Sequence, residues 1–325
     1  MKRKKKLIIL ITVLMSTLAL VYLKLLKDTR GERAFSKVTV KVIDEAGEPI
    51  KNANVNIGFL LDQHWDKSIS KTFHGKSNSN GEYSSTFLGA RESGISATKH
   101  GYYRSTTRYK RDEIKNVFWQ PWNPTIELVL RKKINPIPLY TKKTKINLTT
   151  NYVDFVGYDV FVGDLVEPYG KGTSNDLLFL LEKNRKTAFE YSWKLIVKFA
   201  NEEDGFYKIY PPKLNLYSKL VFPNKAPEDN YNTKEIICSS SANPQTYTQF
   251  RTTDDSGYLF FKIRTHETNS YYGKALNFEY YITRDGLRVE FIYYLNPTIN
   301  SRNMEFDTHT NLFKNIKSYM KIRQP

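Results

Sequence analysis

Cysteine is almost absent from this 325-residue chain, which contains only Cys238. A single thiol cannot form an intrachain disulfide, and it excludes every zinc site that is built on two or more cysteines. Cys238 follows two isoleucines, a context that predicts a strand with a buried and unreactive thiol. We therefore predict a fold that depends on its hydrophobic core and that holds no metal and no cofactor.

Histidine is also scarce, and none of the five histidines falls into a known metal or catalytic motif. The chain contains no H-E-x-x-H sequence, G-x-S-x-G nucleophile elbow, P-loop or G-x-G-x-x-G fingerprint. Asp62, His64 and Asp66 alternate along the chain, so a strand there would present three ligands on one face. A variable polar loop is the favoured interpretation.

Acidic residues are outnumbered, with 33 Asp and Glu against 50 Lys and Arg, which leaves a formal net charge of +17. Residues 1–28 contribute +6 of this net charge, and the remaining +11 is spread along the chain. A diffuse basic excess suits solubility or an anionic polymer. Because no zinc-finger, aromatic RNP or basic-helix pattern is present, we expect no nucleic-acid binding.

The longest apolar run lies at the N-terminus. Residues 7–26 contain one charge, Lys24, and twenty helical residues span about 30 Å, the thickness of a bilayer core. The basic tail 1–6 predicts a cytoplasmic N-terminus. No small-residue cleavage site precedes Lys24, which favours an uncleaved signal anchor over the alternative, a cleaved signal peptide. We predict a single-pass membrane protein with a stalk at 27–36 and the remaining chain extracytoplasmic, in the periplasm or on the cell surface.

The chain contains 23 Tyr and 19 Phe residues, and beyond the stalk it has the composition and periodicity of an all-β protein. Apolar residues alternate through Val38–Val42 and again through Ala53–Phe59, on either side of a polar turn, which predicts a hairpin-like unit. Short strands separated by turn residues predict a β-sandwich over residues 37–132. The further strands predicted in it are Tyr83–Leu88, Ile95–Lys99, Tyr102–Tyr109 and Ile126–Leu130.

Residues 133–138 form a basic linker with two prolines, and residues 139–325 are predicted to form a second, larger β-rich domain. Leu177–Leu181 suits a short helix or a buried strand, and its shortness favours a strand. Leu312, Phe313, Ile316, Tyr319 and Met320 share one helical face, which predicts a C-terminal helix. The other strands predicted are Asn151–Val162, Trp193–Phe199, Tyr258–Thr265, Lys274–Thr283 and Leu287–Leu295.

Three short motifs within residues 37–132 resemble those of the carboxypeptidase regulatory-like domain. They are V-x-V-x-V-x-D-x-x-G-x-P-I-x-N-A-x-V (Val38–Val55), S-N-S-N-G-E-Y (Ser77–Tyr83) and I-S-A-T-K-H-G-Y (Ile95–Tyr102). The resemblance implies a transthyretin-like β-sandwich and no peptidase activity. It assigns turn-forming roles, and Asn78 stands where the family usually has an acid. The turn residues are Asp44, Gly47, Pro49, Gly81 and Gly101.

Two candidate sites combine residues that could carry chemistry or binding. A two-residue turn at Asp285-Gly286 would make Glu279 and Glu290 diagonal neighbours on one sheet face, as a glycosidase pair separated by about 5–10 Å requires. A solvated sheet face explains the same pattern, and that interpretation is favoured. Trp119 and Trp122 lie in one proline-flanked loop, where they would stack on sugars or, as we favour, plug an interface between the two β domains.

The sequence therefore predicts a non-catalytic binding or scaffolding protein of the cell envelope, attached to the membrane through its N-terminal helix. Its partner would be an envelope protein or a polysaccharide. Two alternatives stay open. One is a carbohydrate-binding module that uses the aromatic loop, and the other is a glycoside-type hydrolase that uses Glu279 and Glu290.

Overall fold

The computed structural model describes residues 34–63, 68–89, 91–149, 152, 154–185, 187, 191–210, 215–242, 258–283 and 286–325. The chain divides into two compact units, Met1–Lys132 and Lys133–Pro325, which we call unit 1 and unit 2. The described residues form strands and a short 3-10 helix, Ser318–Met320, so the fold is all-β.

Several features predicted from the sequence lie outside the described residues. They are the basic tail 1–6, the anchor 7–26, stalk residues 27–33, and His64 with Asp66. Of the helices that the described residues form, none has the length and apolar character needed to cross a bilayer.

Unit 1 consists of two antiparallel-rich sheets. One sheet has the order β4-β1-β8-β7, with β9 also paired to β1, and the other has the order β3-β2-β5-β6. The strands are β1 (Ala34–Ile43), β2 (Asn54–Gln63), β3 (Ser68–Lys76), β4 (Glu82–Gly89), β5 (Glu92–Thr98), β6 (Ser105–Lys110), β7 (Glu113–Lys115), β8 (Phe118–Gln120) and β9 (Thr125–Val129).

The core of unit 1 lies between these two sheets. Alternate residues of β1, including Val38 and Val40, meet alternate residues of β2 and β5, including Ile57 and Ile95. Because side chains on a strand point to opposite faces in turn, each sheet buries one apolar face and leaves the other outside. Unit 1 is therefore a β-sandwich.

The predicted hairpin between the first two strands is wrong. β1 pairs with β4, β8 and β9, whereas β2 pairs with β3 and β5, so the two strands belong to different sheets. The turn at residues 44–49 carries the chain across the sandwich. Both strands are strongly apolar on one face, and placing them in opposite sheets lets these faces bury each other.

Two turns of unit 1 share one hydrogen-bond arrangement. The Oδ1 atom of Asp44 accepts the backbone N–H groups two and four residues further on, both at 2.9 Å. The Oδ1 atom of Asn78 accepts the equivalent pair at the same distances. The turn needs an oxygen acceptor and no charge, which explains how Asn can replace the acid. Gly47, Gly81 and Gly101 all have positive φ angles.

Unit 2 also contains two sheets. The six-stranded sheet has the order β15-β17-β18-β19-β10-β20, and the five-stranded sheet has the order β12-β11-β13-β14-β16. The strands are β10 (Ile137–Thr149), β11 (Val156–Asp159), β12 (Asp164–Leu165), β13 (Leu177–Arg185), β14 (Tyr191–Phe199), β15 (Gly205–Lys208), β16 (Glu235–Ala242), β17 (Tyr258–His266), β18 (Asn269–Ile282), β19 (Gly286–Leu295) and β20 (Phe306–Asn311).

The six-stranded sheet of unit 2 is covered on one whole face and on part of the other. Its inner face, with Val289 and Phe291, packs against Phe179 and Val197 of the five-stranded sheet. Part of its outer face packs under connecting segments that contribute Phe222 and other residues of a second core. The remainder of this outer face carries charged side chains, and it contains the predicted carboxylate pair.

Several predicted strand boundaries differ from those in the structure. β1 begins at Ala34, inside the predicted stalk, and β10 begins at Ile137, inside the predicted linker. The predicted strand Asn151–Val162 is reduced to Val156–Asp159. Leu177–Leu181 lies in a strand, as predicted, and Cys238 lies in β16.

The predicted C-terminal helix is wrong. After β20 the backbone N–H of Phe313 donates to Asn311 Oδ1 at 3.0 Å, and Asn315 has a left-handed φ of 62°. The Phe313 ring packs edge-to-face on Tyr140, with 5.0 Å between ring centroids. Local side-chain hydrogen bonds and separate tertiary contacts therefore override the helical periodicity, and only Ser318–Met320 forms a 3-10 turn.

Gly81 is expected to be intolerant of any side chain. An added Cβ would lie 2.4 Å from the Val42 carbonyl oxygen, and the φ of +78° is strained for other residues. Gly81→Ala should reduce the free energy of unfolding of unit 1 by about 1–3 kcal/mol. Hydrogen exchange of β1 and β4 amides, resolved by mass spectrometry, measures this change. Gly94→Ala is the matched control, since a Cβ there meets no atom within 4 Å, and equal losses in both variants would contradict the prediction.

Candidate functional site

The two predicted carboxylates lie directly opposite each other. Glu279 of β18 is the register partner of Glu290 of β19, and Ile282 is the partner of Leu287. The predicted diagonal arrangement is wrong, because the two strands pair two residues away from the predicted register. The backbone N–H of Thr283 donates to the Gly286 carbonyl at 3.0 Å, and the register set there continues through Ile282–Leu287 to Glu279–Glu290.

Three cations surround the carboxylate of Glu290. Lys145 Nζ lies 3.0 Å from Oε1, and Lys143 Nζ lies 3.2 Å from Oε2. Arg288 Nε lies 3.0 Å from Oε1 as an ion pair, without the alignment of a hydrogen bond. Glu290 is only 5% exposed, so the sequence-based picture of a simply solvated glutamate does not hold for it. Glu279 is exposed and accepts the hydroxyl of Tyr281.

These contacts keep Glu290 ionised. Burial raises its pKa, but the hydrogen bonds and charges of Lys145 and Lys143 outweigh burial and hold the pKa below its ordinary value. A general acid of a glycosidase needs the opposite shift, toward neutrality. With both carboxylate oxygens engaged, Glu290 acts as the centre of an ion cluster on the sheet face.

The two tryptophans of the aromatic loop have different environments. Trp119 is 1% exposed, and its Nε1 donates to the Gly89 carbonyl at 2.9 Å, so it belongs to the interior of unit 1. Trp122 is 41% exposed. Only Trp122 is therefore available for contact with a ligand or surface.

Trp122 is part of an exposed aromatic patch, which we define as Phe35, Phe118 and Trp122. The Phe118 ring lies 5.0 Å from Trp122 and 6.0 Å from Phe35, measured between centroids. Phe35 and Phe118 are 38% and 39% exposed. Lys115 is the register partner of Phe118 and adds a cation on the same face. Large aromatics grouped on a surface mark an interaction site more often than single ones do.

An arginine and two aspartates connect the two sheets of unit 2. Arg264 of β17 donates from Nε to Asp176 Oδ1 at 2.7 Å, and from Nη2 to Asp176 Oδ2 at 3.0 Å and Asp159 Oδ1 at 3.1 Å. Its guanidinium stacks on the Phe161 ring, 4.5 Å from the centroid. Asp159 ends β11 and Asp176 precedes β13, so the contacts bridge from the six-stranded to the five-stranded sheet.

A third aspartate holds the backbone of Arg264. Asp204 accepts its backbone N–H at 2.9 Å, and Arg264 has a positive φ of 51°. Burial raises the pKa of Asp176 more than the Arg264 hydrogen bonds lower it. Burial also acts to raise the pKa of Asp159, but backbone hydrogen bonds and the charge of Arg264 outweigh it and hold that pKa below its ordinary value. No motif in the sequence predicts this cluster, since its members lie 60 to 105 residues from Arg264 along the chain. Within the described ranges, no group of His, Cys, Asp and Glu side chains is arranged to hold a metal ion.

A groove of about 530 Å³, lined mainly by hydroxyl, amide and basic residues together with glycines, lies on the outer face of the β3-β2-β5-β6 sheet of unit 1. Its floor contains two glycines, Gly58 and Gly94, which are register partners on adjacent strands. No motif in the sequence predicts this groove. The sequence feature that could have indicated it is the presence of glycines within strand-forming segments, because a glycine inside a strand often marks a place where another group approaches the backbone closely.

No family model matches the chain, and no curated protein matches it. Among solved structures, a 3-chlorocatechol 1,2-dioxygenase from Rhodococcus opacus 1CP aligns with 10% identity and a TM-score of 0.25, over 33% of this chain and 62% of that chain. The shaft pilin spaA of Lactobacillus rhamnosus GG aligns with 11% identity and a TM-score of 0.24, over 78% and 92%. A streptococcal ancillary pilin aligns with 10% identity and a TM-score of 0.21, over 81% and 59%. At these TM-scores the similarities carry no argument about this chain.

The ion cluster around Glu290 should stabilise unit 2 in a pH-dependent way. Glu290→Gln should reduce the free energy of unfolding by about 1–3 kcal/mol at neutral pH, since charge-assisted hydrogen bonds are lost. Because the folded pKa of Glu290 is depressed, its contribution is full above the unfolded pKa of about 4.3 and disappears as the pH falls through the folded value. Hydrogen exchange of β10 and β19 amides at neutral and acidic pH measures the difference between variant and wild type.

Glu279→Gln is the matched control for this prediction. Glu279 is exposed and faces the like charge of Glu290 across the strands. Its replacement should change the free energy by at most about 0.5 kcal/mol. A difference between Glu290→Gln and wild type that stayed constant with pH would show that the cluster does not depend on ionisation.

Proposed function

We propose that this protein is a non-catalytic binding or scaffolding protein of the cell envelope, anchored by residues 7–26 with its N-terminus in the cytoplasm. Its two β units would lie outside the cytoplasm, where they would contact an envelope protein or a polysaccharide. The aromatic patch on unit 1 is the observation that carries this proposal.

The position of the aromatic patch in the chain supports a place at the membrane surface. Phe35 is the second residue of β1, and Ala34 is separated from the end of the apolar run at Leu26 by a tether of at most about 29 Å. Aromatic side chains, Trp and Tyr above all, favour the interface between lipid headgroups and acyl chains. A patch of Phe35, Phe118 and Trp122, with Lys115 beside it, suits this environment and anionic headgroups.

We also propose that unit 1 is a transthyretin-like domain of the carboxypeptidase regulatory-like family. Its two-sheet sandwich and the matching turns at Asp44 and Asn78 support this assignment. In such a domain these turns shape the loops and perform no chemistry.

The electrostatics of unit 2 support a non-catalytic role. Glu290 is engaged by three cations, and Asp159 and Asp176 are engaged by Arg264. A carboxylate held this way is not free to exchange a proton with a substrate or to attack one. The charged groups that stood out as candidates are therefore used to stabilise the fold.

Exposure of the Trp122 ring favours one second candidate function, carbohydrate binding by the aromatic loop. The buried Trp119 cannot take part, so the platform would consist of Trp122 and Phe118. Pull-down of the detergent-solubilised full chain on neutral glycans and peptidoglycan distinguishes the two functions. Binding that is lost in Trp122→Ala would favour this second candidate over the membrane-facing patch.

The proposed orientation predicts the result of a topology experiment. Alkaline phosphatase fused after Pro325 should be active, since it acquires its disulfides only outside the cytoplasm. Replacing Lys and Arg at positions 2–6 with neutral residues should reduce that activity, because basic residues hold the N-terminus inside. A fusion that is inactive as phosphatase, while the equivalent β-galactosidase fusion is active, would contradict the orientation.

The membrane-facing patch predicts contact between Trp122 and lipid. In vesicles that contain the full chain, lipids brominated near the headgroup should quench part of the tryptophan fluorescence, and Trp122→Phe should remove part of that quenching. Trp193→Phe is the matched control, because Trp193 is buried in unit 2 and its indole N–H makes no hydrogen bond that the substitution would remove. An unchanged quenched fraction in Trp122→Phe would place the patch away from the bilayer.

A further inference from the structure

The groove on the outer face of the β3-β2-β5-β6 sheet depends on two glycines that the fold itself does not require. A Cβ added at Gly94 would meet no atom within 4 Å, and one at Gly58 would make only ordinary contacts, the nearest at 3.4 Å to Thr72 Oγ1. Neither glycine has a positive φ. Glycine inside a strand destabilises the strand relative to most other residues. Two glycines at facing positions therefore indicate a role other than stabilising the fold.

The absent side chains leave a shallow trough that crosses the sheet. The glycines form one cross-strand row with Thr72 at one end and Arg108 at the other. With strands about 4.8 Å apart, a row of four strands spans about 14 Å. The trough is open, so it suits a stretch of an extended polymer better than an enclosed small molecule.

A second row, parallel to the first, supplies hydrogen-bonding groups along the trough. It consists of His74, Asn56, Ser96 and Thr106, which are successive register partners. His74 Nδ1 lies 2.6 Å from Asn56 Oδ1, and Asn56 Nδ2 donates to Ser96 Oγ at 3.2 Å. These bonds orient the row, and the Ser96 hydroxyl hydrogen and the second ring nitrogen of His74 remain for a ligand.

The charged side chains that line the groove are positive. Arg104 and Arg108 line it, and no carboxylate is among the described residues that line it. Arg108 contacts Glu92 at 3.5 Å, but both side chains are exposed, and such a pair is weak enough for a ligand to displace. No aromatic side chain lines the groove, which argues against recognition of neutral sugars by stacking.

We propose that this groove binds an anionic, hydroxyl-rich polymer, that is, a chain of sugar or polyol units that carry phosphate or carboxylate groups. The glycine row admits the backbone of the polymer, the His74–Asn56–Ser96–Thr106 row binds its hydroxyl groups, and Arg104 and Arg108 bind its anions. The site is independent of the membrane-facing patch, and it stands or falls separately from the proposed topology.

The test measures binding of three polymers to the full chain in detergent at low ionic strength. Poly(glycerol phosphate) and polygalacturonate supply the two anion types, and dextran of matched length is the neutral control. We expect at least one anionic polymer to bind, dextran to bind weakly or not at all, and affinity to fall as salt is added. Binding of only one anionic polymer would identify the anion, and binding of both would show a general anion site.

Two sets of variants assign the binding to the groove. Gly94→Val fills the trough, and it should weaken binding about tenfold or more without lowering the melting temperature. Thr86→Val places the same side chain on the exposed face of the other sheet and should bind like wild type. Arg104→Gln with Arg108→Gln should weaken binding to a similar degree and flatten its salt dependence, and it decides the question if Gly94→Val fails to fold.

Three results would overturn the proposal. The first is that none of the polymers binds, and the second is that dextran binds as tightly as the anionic polymers. The third is that a folded Gly94→Val variant, or the double arginine variant, retains wild-type affinity.

Discussion

Every sheet in this protein must bury one apolar face, and that constraint decides which side chains remain for function. In unit 1 the faces that meet hold residues such as Val40 and Ile57, so the outer faces carry polar residues, the glycine row and the aromatic patch. In unit 2 the six-stranded sheet packs on both faces over part of its area. The end of the outer face that holds Glu290 carries charged side chains instead, and three cations surround the carboxylate of Glu290.

Charge in unit 2 is used mainly for structure. Arg264 joins the ends of β11 and β13 to β17, and Asp204 fixes its backbone in an uncommon conformation. Removing one member of such a buried ion cluster leaves the remaining charges unpaired. This destabilises the fold more than replacing the whole cluster with apolar residues would. This dependence explains how carboxylates that look catalytic by residue type can serve the fold alone.

The two binding surfaces proposed for unit 1 differ in the kind of partner that their chemistry suits. The aromatic patch of Phe35, Phe118 and Trp122 offers apolar area with a nearby cation, which suits a lipid interface. The groove around Gly58 and Gly94 offers hydrogen bonds and positive charge without aromatic rings, which suits an anionic polymer. On the two proposals together, unit 1 would hold an envelope polymer close to the membrane.

Local pattern in the sequence determined the all-β class, the strands with clean alternation, and the turns at Asp44 and Asn78, because each depends on neighbouring residues. The alternation of β10 was hidden by its three lysines, so this central strand was missed. Only the tertiary structure decided that β1 and β2 lie in different sheets and that Glu279 faces Glu290. It also decided that Arg264 meets aspartates about a hundred residues away. Strand register, sheet membership and ion clusters depend on residues distant in the chain, and no local periodicity encodes them.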